Sequence, residues 1–221
     1  MTTLLIIDTE TNGFEPQEVI ELAWANSVTA SESRYKPSNT TTWGALAVHN
    51  ILPFELADCP PSSTAQLPSG VEYIVGHNVD FDWAALGKPA IKRICTLAIA
   101  RKLYPELDSH KLGALYYAFN GATAETREEL RSAHSALADV YFCKNILEYM
   151  LKDRAPGVSL DRPEELWRFS EACRIPDTMT FGKHKGMAIK DLPKDYKAWI
   201  LRQPDMDEYV IKAVEATYRM R

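Results

Sequence analysis

Apolar residues run without a break from Leu4 to Ile7 and stop at Asp8. A short apolar run that lacks polar alternation predicts a strand covered on both faces, here residues 3–8. After the turn signal Asn12-Gly13, residues 18–28 predict a second strand, so the two form a hairpin at the centre of a sheet. A short helical stretch follows over 43–51, then a strand over 72–75 and helices over 81–86 and 96–103. Strands come first and helices follow. The strongest helical period spans 135–152, and residues 153–163, rich in Pro, Gly and charge, read as a linker. Residues 38–42 and 60–64 read as loops.

A second, smaller unit begins beyond the linker. Asp205 and Glu208 have capping-box spacing, and Met206, Tyr209, Val210, Ala213 and Val214 form an apolar stripe at helical spacing. Leu192, Tyr196, Trp199 and Ile200 form another such face, and Phe181-Gly182-Lys183-His184-Lys185-Gly186 is a short basic loop. The expected organisation is a first domain over 1–152, a linker over 153–163 and a C-terminal module over 164–221 that docks on the first domain.

Composition narrows the class. With 221 residues, 46% apolar and 25% charged, the chain is ordinary globular protein, neither disordered nor disulfide-packed. The early apolar run is too short for a signal-peptide core or a membrane span, so the cytoplasm is the default address and no membrane partner is expected. Cys59, Cys95, Cys143 and Cys173 form no Cys-x-x-Cys pair and read as reduced and buried. The net charge of −5 argues against a nucleic-acid partner, since non-specific binding relies on Lys and Arg. However, residues 1–150 carry −7 and residues 177–221 carry +2. The concentrated acid is either a solvated surface or a set of carboxylates gathered to bind cations that would attract a polyanion.

Three acidic features bear on that choice. Asp8 and Glu10 stand two apart at the end of the buried strand, so both carboxylates project to one side and need a cation or a proton, unless the strand end is simply solvated. Asp139 shares a helical face with Cys143, Ile146 and Met150, which places a carboxylate at the edge of an apolar stripe; it needs a positive partner or a metal, or else turns out to solvent. His134 stands about 140° round an ideal helix from Asp139, so it shares that direction only from the loop before the helix, the alternative being a surface histidine. Asp82 enters at a helix start after Gly76-His77-Asn78, where it is either a site residue or a partner of the helix dipole.

Taken together, Asp8-x-Glu10-Thr11, His77-Asn78-x-x-Phe81-Asp82 and His134-x-x-x-x-Asp139, in this order, resemble the three motifs of DEDDh-type (DnaQ-like) 3′→5′ exonucleases. Ala45-Leu46-Ala47-Val48-His49-Asn50-Ile51 is similar to the segment by which that family holds the terminal nucleotide. The tail, Thr180-Phe181-Gly182-Lys183-His184-Lys185-Gly186 with Asp191-Leu192-Pro193 and Tyr196-Lys197-Ala198-Trp199, is similar to the C-terminal module of the bacterial exonuclease X family. The resemblance implies an α/β fold, a ribonuclease H-like mixed β-sheet flanked by helices, with a small helical C-terminal module carrying the basic loop. It implies Asp8, Glu10, Asp82 and Asp139 around two divalent ions, Mg²⁺ or Mn²⁺, with His134 accepting the proton of the attacking water. It also implies contacts with the terminal nucleotide from the backbone around Thr11 and Asn12, from His49 and Ile51, and from Asn78.

Asn50 and Leu52 depart from the glycine and threonine common in the family, which bears on pocket shape, and Asp80 adds a charge that is either a structural cap or a hindrance to phosphate. Lys183, His184 and Lys185 either track a DNA backbone or form a solvated turn; Tyr196 and Trp199 read as core of the tail. The expected activity is a 3′→5′ exodeoxyribonuclease that releases 5′-mononucleotides, from single strands first and from duplex ends as well, with a homodimer left open. Its rivals are an exoribonuclease, a non-catalytic nucleic-acid-binding module and a metal phosphomonoesterase.

Overall fold

The structure, a computed structural model, describes residues 3–13 and 17–218. Its centre is β1, Thr3–Thr11, in which Leu5, Ile6 and Ile7 are each at most 3% exposed. Both faces of the strand are covered, which is why its apolar residues do not alternate. β2, Val19–Ala25, pairs antiparallel with β1, and β3, Ala30–Arg34, pairs antiparallel with β2. Next come α1, Trp43–His49, then β4, Val71–Gly76, parallel to β1, then α2, Asp80–Ala85, and β5, Lys92–Cys95, parallel to β4. The result is one mixed five-stranded sheet in the order β3-β2-β1-β4-β5.

Helices complete the layers: α3, Thr96–Leu103; α4, Leu112–Asn120; α5, Ala124–Glu129; and α6, Ala136–Arg154. Leu5 and Ile7 of β1 pack with Ile74, Val79 and Cys95 and with Trp83 and Leu86 around α2. α6 lies against β1 and β2 and buries Val140, Cys143, Ile146, Leu147 and Met150, the 3.6-residue stripe expected of it. α7, Pro163–Arg174, follows the irregular residues 155–162. Its Pro163 at the first helical position and Glu164 and Glu165 in the first turn are helix-start chemistry within the segment read as a linker and just beyond it.

The chain divides into two compact units, Met1–Ser170 and Glu171–Arg221, so the division falls later than the start at 164 expected for the C-terminal module. The second unit contains α8, Lys194–Ile200, and α9, Glu208–Tyr218, around a core of Met179, Ile189, Leu192, Ile200, Val210, Ala213 and Val214. Asp207, not Asp205, caps α9: its Oδ1 accepts the N–H groups of Tyr209 (2.9 Å) and Val210 (3.0 Å). Tyr196 stacks on Trp199 at 5.3 Å between ring centres, and Trp199 is 43% exposed, so it lies at the edge of that core rather than within it. The loop carrying Lys183 and His184 wraps Tyr196, with the Lys183 ammonium 5.4 Å and the His184 ring 4.4 Å from its ring centre.

The single strand expected over 18–28 is interrupted because the Asn26 side chain accepts the N–H groups of Val28 and Thr29, both at 2.8 Å, and closes a turn. Three cysteines are buried, but Cys59 is only half-buried. Among the described residues, no helix is long and apolar enough to cross a membrane.

Candidate active site

Asp8 and Glu10 are half-buried on β1 and alternate with buried Ile7, Thr9 and Thr11, so they project together from the sheet. Asp82 comes from the first turn of α2 and is 3% exposed. Thr9, between the two strand acids, donates its N–H (2.9 Å) and its hydroxyl (2.8 Å) to Asp82 Oδ1. One residue of β1 therefore fixes the acid of α2 and leaves Oδ2 for the site. Asp139 stands in the first turn of α6 and His134 just before that helix. His134 has φ 67°, a left-handed conformation, and its N–H donates to Asp139 Oδ2 at 3.3 Å. This bend brings the His134 ring beside the acid although the two are out of phase on an ideal helix. Ligand atoms of Glu10, His134 and Asp139 lie within 4.8 Å of one another.

A fifth acid, missing from the sequence reading, holds this arrangement together. Glu21 on β2 is opposite Glu10 in the antiparallel register and is 1% exposed. Its Oε1 accepts Arg34 Nε at 2.8 Å and its Oε2 accepts the N–H of Ala136 at 3.0 Å. Glu21 thus caps α6 from the sheet and sets the first turn, which carries Asp139, beside β1. The signal was available as one glutamate inside the apolar run Val19-Ile20-Glu21-Leu22-Ala23. Glu32 adds longer bonds, 3.3 Å from Leu137 N–H and 3.4 Å from Ser135 Oγ.

Crowding these acids out of water raises their proton affinity. Burial, then the charges of Asp139, Glu21 and Asp82, lifts Glu10 to about 8. Burial lifts Asp82 to about 7 against the lowering effect of the Thr9 hydrogen bonds. Asp8 rises well above the ordinary carboxylate range, first by burial and then by the charges of Asp82, Asp139, Glu10 and Glu21. Burial also raises Asp139, which His134 opposes. Carboxylates that close hold protons or a cation, and an oxygen-rich donor set with one imidazole at its edge fits a hard divalent ion.

The other predicted residues take varied positions. His49 is 6% exposed; its Nδ1 accepts the Ile51 N–H at 2.9 Å, so the neutral ring carries its proton on Nε2. That N–H is buried and has no partner among the described residues. Asn50 has φ 57°, a left-handed position that Gly and Asn tolerate, so its departure from the family's glycine preserves the bend. Ile51, 4% exposed, packs with Ile20 and Leu56. Thr11 is 6% exposed, and its hydroxyl donates to Gly13 O at 3.3 Å. Asn12 is engaged throughout: its N–H donates to Glu18 O (3.0 Å), its C=O accepts Thr42 N–H (2.7 Å), and its side chain pairs with Glu18 (2.9 and 3.1 Å). Asn78 is exposed at φ 71° in the turn before α2. Asp80 pairs with Arg93 at 2.5 Å, which offsets its charge. Lys183 and Lys185 belong to the second unit.

Two outcomes follow from this network. An acid whose pKa is raised by folding stabilises the fold fully below its ordinary pKa, and that contribution is lost as pH rises through the folded value. For Glu10 and Asp82 the window runs from about pH 4 to about pH 8. In chelator, the melting temperature should fall by roughly 5–10 °C across that window, and millimolar Mg²⁺ should restore it at the alkaline end. Glu21→Ala, measured in urea with Mg²⁺ present, should cost about 2–4 kcal/mol, against less than about 1 kcal/mol for the exposed Glu32→Ala.

No family model matches the chain. It is 26% identical over 212 residues to exodeoxyribonuclease 10 of Escherichia coli strain K12, covering 91% of this chain and 92% of that protein. A solved structure of exonuclease X in complex with 5′-overhanging duplex DNA superposes with a TM-score of 0.60 at 26% identity, over 75% of this chain and 99% of that one. Exonuclease I of E. coli in complex with a dT13 oligonucleotide shares the fold, with a TM-score of 0.52 at 21% identity over 71% of this chain and 42% of that longer one. The mixed sheet and its flanking helices match the ribonuclease H-like fold of these exonucleases, and the chain is homologous in sequence and similar in fold to exodeoxyribonuclease 10, exonuclease X.

Proposed function

We propose that this chain is a DNA exonuclease that removes 5′-mononucleotides from 3′ ends, using Asp8, Glu10, Asp82 and Asp139 to hold two Mg²⁺ or Mn²⁺ ions and His134 as the general base. The observation that carries the reading is the meeting of four carboxylates from β1, α2 and α6 with one histidine, in surroundings that raise the proton affinity of all four acids and lift Glu10 to about 8 and Asp82 to about 7. Exodeoxyribonuclease 10 and exonuclease X support the reaction and DNA as its substrate.

Divalent ions at such a site supply Lewis-acid activation of water and neutralise charge at the scissile phosphate. The chain's own residues do the rest. Thr9 and Glu21 hold Asp82 and Asp139 in place before substrate arrives, so little reorganisation is left for the reaction. His134, exposed and left-handed in the loop before α6, takes the proton of the attacking water through its imidazole nitrogen. His49 offers its unpartnered Nε2–H to the terminal nucleotide, while Thr11, Asn12, Ile51 and Asn78 shape the surrounding wall. Lys183 and Lys185 track the strand backbone by charge. Single strands are the primary substrate and recessed 3′ ends the second, and a cytoplasmic enzyme, with a homodimer left open, completes the reading.

With a 5′-labelled oligodeoxynucleotide and Mg²⁺, Asp8→Asn and Asp139→Asn should each lower the cleavage rate by about 10³-fold or more while still binding DNA. Activity retained in both variants would refute the mechanism. A matched RNA oligonucleotide should be shortened far more slowly, and faster RNA cleavage would overturn the choice of substrate. Lys183→Ala with Lys185→Ala should weaken DNA binding and reduce its logarithmic salt slope by roughly 2, with kcat preserved.

A further inference from the structure

A cavity of about 810 Å³ is lined by His134 and Asp139 together with His77, Asn78, Arg101 of α3 and Lys111 at the start of α4. We propose that this cavity is a second phosphate subsite, in which Arg101 and Lys111 receive the phosphate next upstream of the one being cut. The proposal rests on the exonuclease reading and deepens it, because it states how much of the strand the site grips.

The charges are arranged for such a ligand. Arg34, Arg93, Arg131, Arg154, Arg162 and Arg168 all pair with carboxylates. Arg101 and Lys111 are exposed and form no ion pair with any described carboxylate, although the chain carries a net charge of −5 and the cavity begins at an acidic centre. Two cations left unpaired there have an anion as their natural partner. The His77 ring in the same lining is held at both nitrogens, through Nδ1 to the Thr96 hydroxyl (3.0 Å) and through Nε2 to His110 O (2.8 Å). Burial, with Arg101 and His110 nearby, lowers its pKa to about 4, so the ring is neutral at working pH. The first turn of α4, in the same lining, contains no acidic residue and no side-chain cap, so no carboxylate of that turn offsets the positive end of the helix.

Size and polymer geometry agree. The volume falls in the range of pockets that hold nucleotide-sized ligands. A strand whose scissile phosphate lies at the four carboxylates, and whose last nucleotide lies toward His49, must leave on another side. Next to the site, this cavity offers cations for the following phosphate.

The test compares wild type with Arg101→Gln, Lys111→Gln and the double variant on two substrates with Mg²⁺: a long single-stranded oligodeoxynucleotide, and the p-nitrophenyl ester of thymidine 5′-monophosphate, whose only phosphate is the scissile one. The double variant should raise KM for the oligonucleotide by about 10–100-fold and flatten its logarithmic salt slope by roughly 2, with kcat changed less than about twofold. KM for the ester should change by less than about twofold, a difference that a general loss of structure cannot produce. Equal losses on both substrates, or no loss on the oligonucleotide, would overturn the subsite. If the wild type cleaves neither substrate, the exonuclease reading fails first and the subsite with it.

Discussion

Carboxylates that share a pocket screened from water repel one another, and the fold of this protein brings four of them together. Three kinds of constraint hold them there. The two-residue period of a buried strand aims Asp8 and Glu10 to one side, Thr9 ties Asp82 to that same strand, and a left-handed residue before α6 turns His134 toward Asp139. A solvated cluster would relax apart, but these acids are anchored in sheet and helix. Their repulsion is relieved only by protons or by cations.

The anchoring extends beyond the acids themselves. Glu21 adds another negative charge to the centre, which would be costly were it not bonded to Arg34 and to the start of α6. Its place is explained by what it positions, since Ala136 lies one helical turn before Val140 and three residues before Asp139. Asn12 acts similarly on the loop after β1, where its donors and acceptors are used within the fold. The polar residues around the site thus divide into those that bind within the protein and those left with an unspent group, of which His49, Arg101 and Lys111 are the clearest.

Much of this was legible in the sequence because period and burial coincide. The apolar run before Asp8, the stripe of Cys143, Ile146 and Met150, and the ordered spacing of the acidic motifs each point to the element observed. The parts that escaped depend on contacts between distant segments. β3, Ala-Ser-Glu-Ser-Arg, is a polar edge strand with no alternating pattern, and only pairing with β2 defines it. Glu21 looks like an intrusion in a strand until α6 is packed against it. Asp205 has the spacing of a cap, but Asp207 lies where the helix begins, a boundary that local preference leaves open by a residue or two. Asn50 looks like a departure from the family until its left-handed backbone is seen.

The central claim is that bound dications take the place of protons among Asp8, Glu10, Asp82 and Asp139. Calorimetric titration of Mn²⁺ into chelator-stripped protein near neutral pH, in two buffers of different ionisation enthalpy, tests it most directly. The account predicts saturable uptake with net proton release that shrinks toward about pH 9, where Glu10 and Asp82 are already ionised. Absence of saturable uptake, or uptake that releases no protons, would contradict it.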